Sequence, residues 1–224
     1  MAYGSSPIAS IQRNRNGLFV LRNTTDSGII DSIFNFGLVE VGWQPIVGDW
    51  NGDTLDTVGL YKNGLFLLTD NHSTRTVDYR FSLSVNGSDW LALAGDWNSS
   101  GADGVGLYTS GTFLQVNSLD GTESPSRFQF GPTQAGWYPL AGDWNADSMD
   151  SIGIYNQSIW RLHQSNSNGT VDIGFNFGAR ESGWIPLASY YPQQHRFQLR
   201  LHQKYRQKSP KRQEARSCSS EAYQ

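Results

Sequence analysis

The chain has 224 residues, of which 13% are aromatic and only 17% charged, a foldable composition that excludes a disordered chain. Its formal net charge of -3 joins two unlike parts: 9 Lys and Arg against 18 Asp and Glu up to Leu187, then 8 against 2 from Ala188 onward. The acidic body would repel a phosphate backbone, so nucleic acid is not an expected partner.

The opening MAYGSSPIAS has neither a basic n-region nor an apolar core, so no signal peptide is expected there. No run approaches the ~18 apolar residues of a membrane span. Cys218 is the single cysteine, which excludes an intrachain disulfide and a Cys-based zinc site. Six Asn-x-Ser/Thr sequons begin at Asn23, Asn71, Asn86, Asn98, Asn156 and Asn168, but in so Asn- and Ser-rich a chain they carry little weight for secretion.

In chain order, residues 7–36 supply strands two to four of a first unit, with NGLFVLRN (16–23) in phase with NGLFLLTD (63–70). The second unit, 43–84, opens with WQPIVGDW as a strand, passes through an Asp-rich loop, and continues with TVGLYK (57–62). An Asn63-Gly64 turn, the strongest short hairpin signal, leads to LFLLTD, and TVDYRFSLS makes the fourth strand. Units 90–131 and 137–178 repeat this at a step of 47 residues: Asp49, Asp96 and Asp143; Trp43, Trp90, Trp137 and Trp184; Phe34, Phe81, Phe128 and Phe175. GWIPLA (183–188) begins one more unit. Alternation at period two, with no sustained i, i+3, i+4 pattern, makes each unit a four-stranded meander. The expected fold is all-β, a β-propeller of about four blades of 47 residues. The partial units at either end either close a four-blade ring, which removes exposed sheet edges, or mark a piece of a larger ring or open arc.

From 189 to 224 the pattern stops: Ser189 and Tyr190 stand where Gly142 and Asp143 stand one unit earlier, and no glycine or tryptophan follows. This basic segment reads as a disordered extension, such as a frame change or splice product would leave. The other reading is a tail for an acidic partner.

GDWNGDTLDTVGLY, GDWNSSGADGVGLY and GDWNADSMDSIGIY, preceded by FNFG (34–37 and 175–178) and FQFG (128–131), resemble the GDxNGDGxxD loops and Phe-Gly elements of the FG-GAP/VCBS-like, integrin-α-type β-propeller repeats. The resemblance spans about residues 7–188. It implies calcium held by side chains at loop positions 1, 3 and 5, a backbone carbonyl at 7 and an acid near 9, the oxygen-rich set that a hard cation requires. Carried over, the first loop offers Asp49, Asn51, Asp53 and Asp56; the second Asp96, Asn98, Ser100 and Asp103; the third Asp143, Asn145, Asp147 and Asp150. The second lacks a carboxylate and is expected to be weaker. The family's Gly at position 6 is Thr54 and Ser148 here, and the last acid falls at position 8. The other reading is that these Asp and Asn side chains only close Asx turns between strands.

Acids duplicated in every unit do not suit a glycosidase, whose two carboxylates form one site. No nucleophile-and-base motif is apparent either, and His72, His163, His195 and His202 read as surface residues. The tryptophans of the loops and first strands, with Trp160, read as wedges between blades rather than sugar platforms. Arg75, Arg80, Arg127, Arg161 and His163 break phase and are the candidates for a specific surface. The expected function is therefore a non-catalytic, calcium-stabilised binding or adhesion module for glycan or protein ligands, not an enzyme. The alternative is an accessory or truncated domain of a secreted hydrolase or lyase whose catalytic part lies elsewhere. The family resemblance implies an extracellular setting.

Overall fold

The computed structural model describes residues 10–13, 18–22, 32–37, 40–71, 74, 76–178, 180, 184–191 and 196–203. Asn23, His72, Arg75, Gly183, His195, Cys218 and the segment 204–224 lie outside them. Among the described residues the protein is all-β. The first unit contributes β1 (Ser10–Arg13), β2 (Leu18–Arg22) and β3 (Ser32–Asn35), a three-stranded sheet. The second folds as β4 (Gln44–Gly48), β5 (Thr57–Lys62), β6 (Leu65–Leu68) and β7 (Tyr79–Ser82). The third gives β8 (Leu91–Gly95), β9 (Gly104–Thr109), β10 (Thr112–Val116) and β11 (Ser126–Gln129), and the fourth β12 (Tyr138–Gly142), β13 (Ser151–Asn156), β14 (Ile159–Leu162) and β15 (Ile173–Asn176). Each of these three units is a four-stranded antiparallel meander of blade-like form. The chain continues with β16 (Trp184–Tyr191) and β17 (Arg196–Gln203), a two-stranded sheet.

Local sequence explains each meander. The turn between β5 and β6 places Asn63 at φ 49° and Gly64 at φ 90°, the double left-handed geometry of a two-residue hairpin whose twist matches its strands. The same turn in the fourth unit is made by Gln157 and Ser158, at φ 45° and 75°, without a glycine. Directly beyond each turn the strands pair aromatic on aromatic. Tyr61 faces Phe66 and Phe66 faces Phe81, with ring centroids 4.9 Å and 5.2 Å apart. Tyr108, Phe113 and Phe128 repeat this ladder, as do Tyr155, Trp160 and Phe175. Each ring pair adds about 0.5–1.5 kcal/mol beyond its area burial.

Between units, the first strands lie side by side: β4 against β8, β8 against β12, and β12 against β16. Gln44 spans one of these joints, donating from Nε2 to the Trp90 carbonyl at 2.8 Å while Oε1 accepts the Ala92 N–H at 3.2 Å. The Phe-x-Phe-Gly elements serve the same joints. Gly37 and Gly131 sit directly against the side chains of Leu60 and Ile154 in the following unit, where a Cβ would collide. Phe36 and Phe130 are buried there at 2% exposure, whereas Phe177, at the same place in the fourth unit, is 51% exposed. Trp43, Trp50, Trp90, Trp97, Trp137 and Trp160 are all core residues.

The structure differs from the sequence reading past residue 188. Strand β16 runs on to Tyr191 and β17 pairs with it from Tyr191↔Arg196 to Trp184↔Gln203. The physical reason is in RFQLRLHQ itself, which alternates apolar and polar residues at period two. The pairing also keeps the repeat's phase: Ile185↔His202 stands where Gln44↔Tyr61, Leu91↔Tyr108 and Tyr138↔Tyr155 stand in the units before.

Candidate functional site: the aspartate loops

Each Asp-rich loop joins the first and second strands of its unit. In the first loop the position-1 carboxylate organises the turn. Asp49 Oδ1 accepts the N–H groups of Gly52 (2.8 Å) and Asp53 (3.1 Å), and Oδ2 accepts that of Thr54 (2.7 Å). Asn51 Oδ1 also accepts from Asp53 N at 3.0 Å, and Asp53 Oδ1 accepts from Leu55 N at 2.8 Å. Asp143, Asn145 and Asp147 repeat this scheme around the N–H groups of Asp147, Ser148 and Met149. The second loop keeps Asp96 and Asn98 in place, but Ser100 Oγ stands in for the third carboxylate, 3.3 Å from Ala102 N.

The backbone departs from ordinary geometry to make these contacts. Positions 4 and 6 are left-handed in all three loops: Gly52 and Thr54 at φ 76° and 72°, Ser99 and Gly101 at 58° and 86°, Ala146 and Ser148 at 63° and 71°. Thr54 and Ser148 thus hold the glycine conformation without being glycine.

Side chains at positions 1, 3 and 5 are therefore brought together. A carboxylate has about four lone-pair sites, so acceptance of backbone N–H groups leaves capacity for a cation. Two of the position-8 acids form hydrogen bonds outside their own loops. Asp103 and Asp150 turn instead to the unit before, Oδ2 of each accepting the N–H of Asp49 (2.9 Å) and Asp96 (3.1 Å). Burial pushes the Asp103 carboxyl up to about 8, against the opposing N–H of Asp49 and with help from nearby Asp150, Asp56 and Asp49. Burial likewise raises Asp150 to about 6. Among the described residues no three acidic, His or Cys side chains form a metal-binding group, so a cation in these loops would draw on Asn51 or Asn145 and backbone oxygen as well. Asp70 adds charge beside the first loop: burial raises its carboxyl, as do Asp53 and Asp49, while the Tyr79 hydroxyl donates to it at 2.9 Å.

One histidine departs from its expected surface place. His163 is 7% exposed, stacked on Phe130, with Nδ1 2.6 Å from Asp172 Oδ2 and Nε2 3.0 Å from Ser165 Oγ. This Ser–His–Asp chain fits no local sequence motif, yet the repeat phase holds the clue, because Thr69 and Asp78 occupy the same places two units earlier. There Thr69 Oγ1 donates to Asp78 Oδ2, which also accepts Asp70 N, as Asp172 Oδ2 accepts Gln164 N. The arrangement pins the turn between third and fourth strands. A Cβ on Gly169 would collide with the His163 ring at Nε2, so the turn closes against the imidazole at a glycine.

No family model, curated protein or solved structure matches the chain.

Proposed function

We propose that the chain is a calcium-stabilised β-propeller module of the FG-GAP/VCBS-like kind that binds glycan or protein ligands and carries no catalytic site. The observation behind this reading is the threefold recurrence of one loop, in each copy of which the side chains of positions 1 and 3 both accept the backbone N–H of position 5. Repetition suits a structural ion better than chemistry, which calls for one site. Asp49, Asn51 and Asp53, with Asp70 nearby, form the most acidic of the three, and Asp143, Asn145 and Asp147 the second. Sites with so few carboxylates match the 10⁻⁴–10⁻³ M range, roughly, of extracellular calcium modules, which agrees with an extracellular setting. A cleft of about 350 Å³ is lined by Asn156, Gln157, Ile159, Asn176 and Arg180, whose amides and guanidinium are chemistry suited to sugar hydroxyls.

Melting curves in EGTA and in millimolar calcium test the cation. The proposal expects a higher midpoint with calcium, since an ion that binds only the folded state stabilises it by mass action. Superimposable curves would remove calcium from the proposal. A glycan array probed with the intact chain then tests the ligand class.

A further inference from the structure

We propose that the aspartate at loop position 8 is a latch to the preceding unit and not a ligand of its own loop. Two independent copies show it. Asp103 donates its N–H to the Asp49 carbonyl at 2.7 Å, and its Oδ2 takes the Asp49 N–H in return. Asp150 makes the same pair with Asp96, at 2.8 Å and 3.1 Å, so each residue satisfies both backbone groups of an aspartate 54 positions earlier.

The latch gives a physical reason for Gly-Asp-Trp. A Cβ on Gly48 would stand 2.8 Å from Asp103 Oδ2 and 2.7 Å from the Trp50 ring, and one on Gly95 would meet Asp150 Oδ2 and Trp97 in the same way. Glycine admits the incoming carboxyl, the aspartate lends its backbone to the latch and its side chain to its own loop, and the tryptophan packs beneath. One residue thus reports on two units at once, and fixes their relative height.

The residue 54 positions beyond Asp143 is Phe197, which has no side-chain acceptor. For Asp56 the partner position is residue 2, outside the described residues.

The latch does not require that any cation be bound, and the test separates the two ideas. Asp103→Asn keeps a side-chain oxygen acceptor and no charge; Asp103→Ala removes the acceptor. Both are melted as full-length chains in EGTA and in millimolar calcium, beside the parent and Asp53→Asn. The latch expects Asp103→Ala to lose roughly 5 °C in both conditions, and Asp103→Asn to melt no lower than the parent and keep its calcium-induced gain. Should Asp103→Ala not fold, Asp103→Asn decides alone. Loss of the calcium gain in Asp103→Asn, or an Asp103→Ala chain that melts like the parent in EGTA, overturns the latch. A parent and Asp53→Asn that both ignore calcium, with Asp103→Ala still destabilised, would end the calcium proposal and leave the latch standing.

Discussion

Asp103 reaches across a unit boundary to hold both backbone groups of Asp49, its N–H on the carbonyl at 2.7 Å and its Oδ2 on the N–H at 2.9 Å. The contact sits at the joint where Gly48, Trp50 and the first strands of neighbouring units meet, so its protonation is coupled to the packing of the array.

That coupling predicts a pH dependence. In the folded chain burial raises the Asp103 carboxyl to about 8 and Asp150 to about 6, well above the ordinary aspartate value near 3.8. Between the unfolded and folded values the native state holds a proton that unfolding releases. Stability is therefore greatest below about pH 4 with respect to these groups and falls as pH rises, through about 6 for Asp150 and about 8 for Asp103, at up to about 1.4 kcal/mol per pH unit for each. Urea midpoints in EGTA across pH 5 to 9 check this; Asp103→Asn should flatten the part between about 6 and 8. Stability that rises over this interval would contradict it.

The hairpin turns predict opposite outcomes for two glycine exchanges. Gly64 has φ 90°, and a Cβ there would lie 2.5 Å from the Leu83 carbonyl oxygen, so Gly64→Ala adds both strain and a backbone clash. We expect a loss of at least about 1–2 kcal/mol. Ser158 holds the same place at φ 75°, and its carbonyl accepts Phe177 N at 2.8 Å, a bond that glycine would keep. Ser158→Gly should relieve strain and raise the melting temperature by a few degrees, a gain limited by glycine's greater freedom in the unfolded chain.

These turns show what was legible in the sequence. Asn63-Gly64 announced its hairpin because the signal is local, and the 47-residue phase of Phe34, Phe81, Phe128 and Phe175 marked the outer rung of the aromatic ladder because equivalent strands keep one register. The partner of Asp103 was hidden for the converse reason: loop spacing invites an own-loop reading, while the contact spans 54 residues. His163 was misplaced because a lone polar residue carries no sign of burial, although Thr69 marked its position. RFQLRLHQ was passed over because it lacks the repeat's glycine and tryptophan, even though its alternation alone suffices for a strand.

The loops themselves predict a stabilising exchange. Thr54 and Ser148 sit at φ 72° and 71° where Gly101 serves in the second loop. A β-branched residue is the least suited to that region, so Thr54→Gly should gain more than Ser148→Gly. In both, the N–H that donates to Asp49 or Asp143 is retained. Thermal melts in EGTA should show increases of order 1 kcal/mol for Thr54→Gly; a decrease would mean that the threonine side chain contributes more than its backbone strain costs.

The aromatic ladder predicts the largest single loss. Phe66 is fully buried between Tyr61 and Phe81, and its unit is flanked on both sides, so neighbouring strands cannot collapse freely into the space. Phe66→Ala should cost about 3–5 kcal/mol by lost transfer energy and cavity formation. Phe175→Ala, at the place in the fourth unit that Phe81 holds in the second, should cost less, because Phe175 is only partly buried and its face carries the exposed Phe177. Urea denaturation of the two variants side by side checks both size and order. Equal losses would show that the fourth unit's outer face is covered in solution as fully as the faces before it.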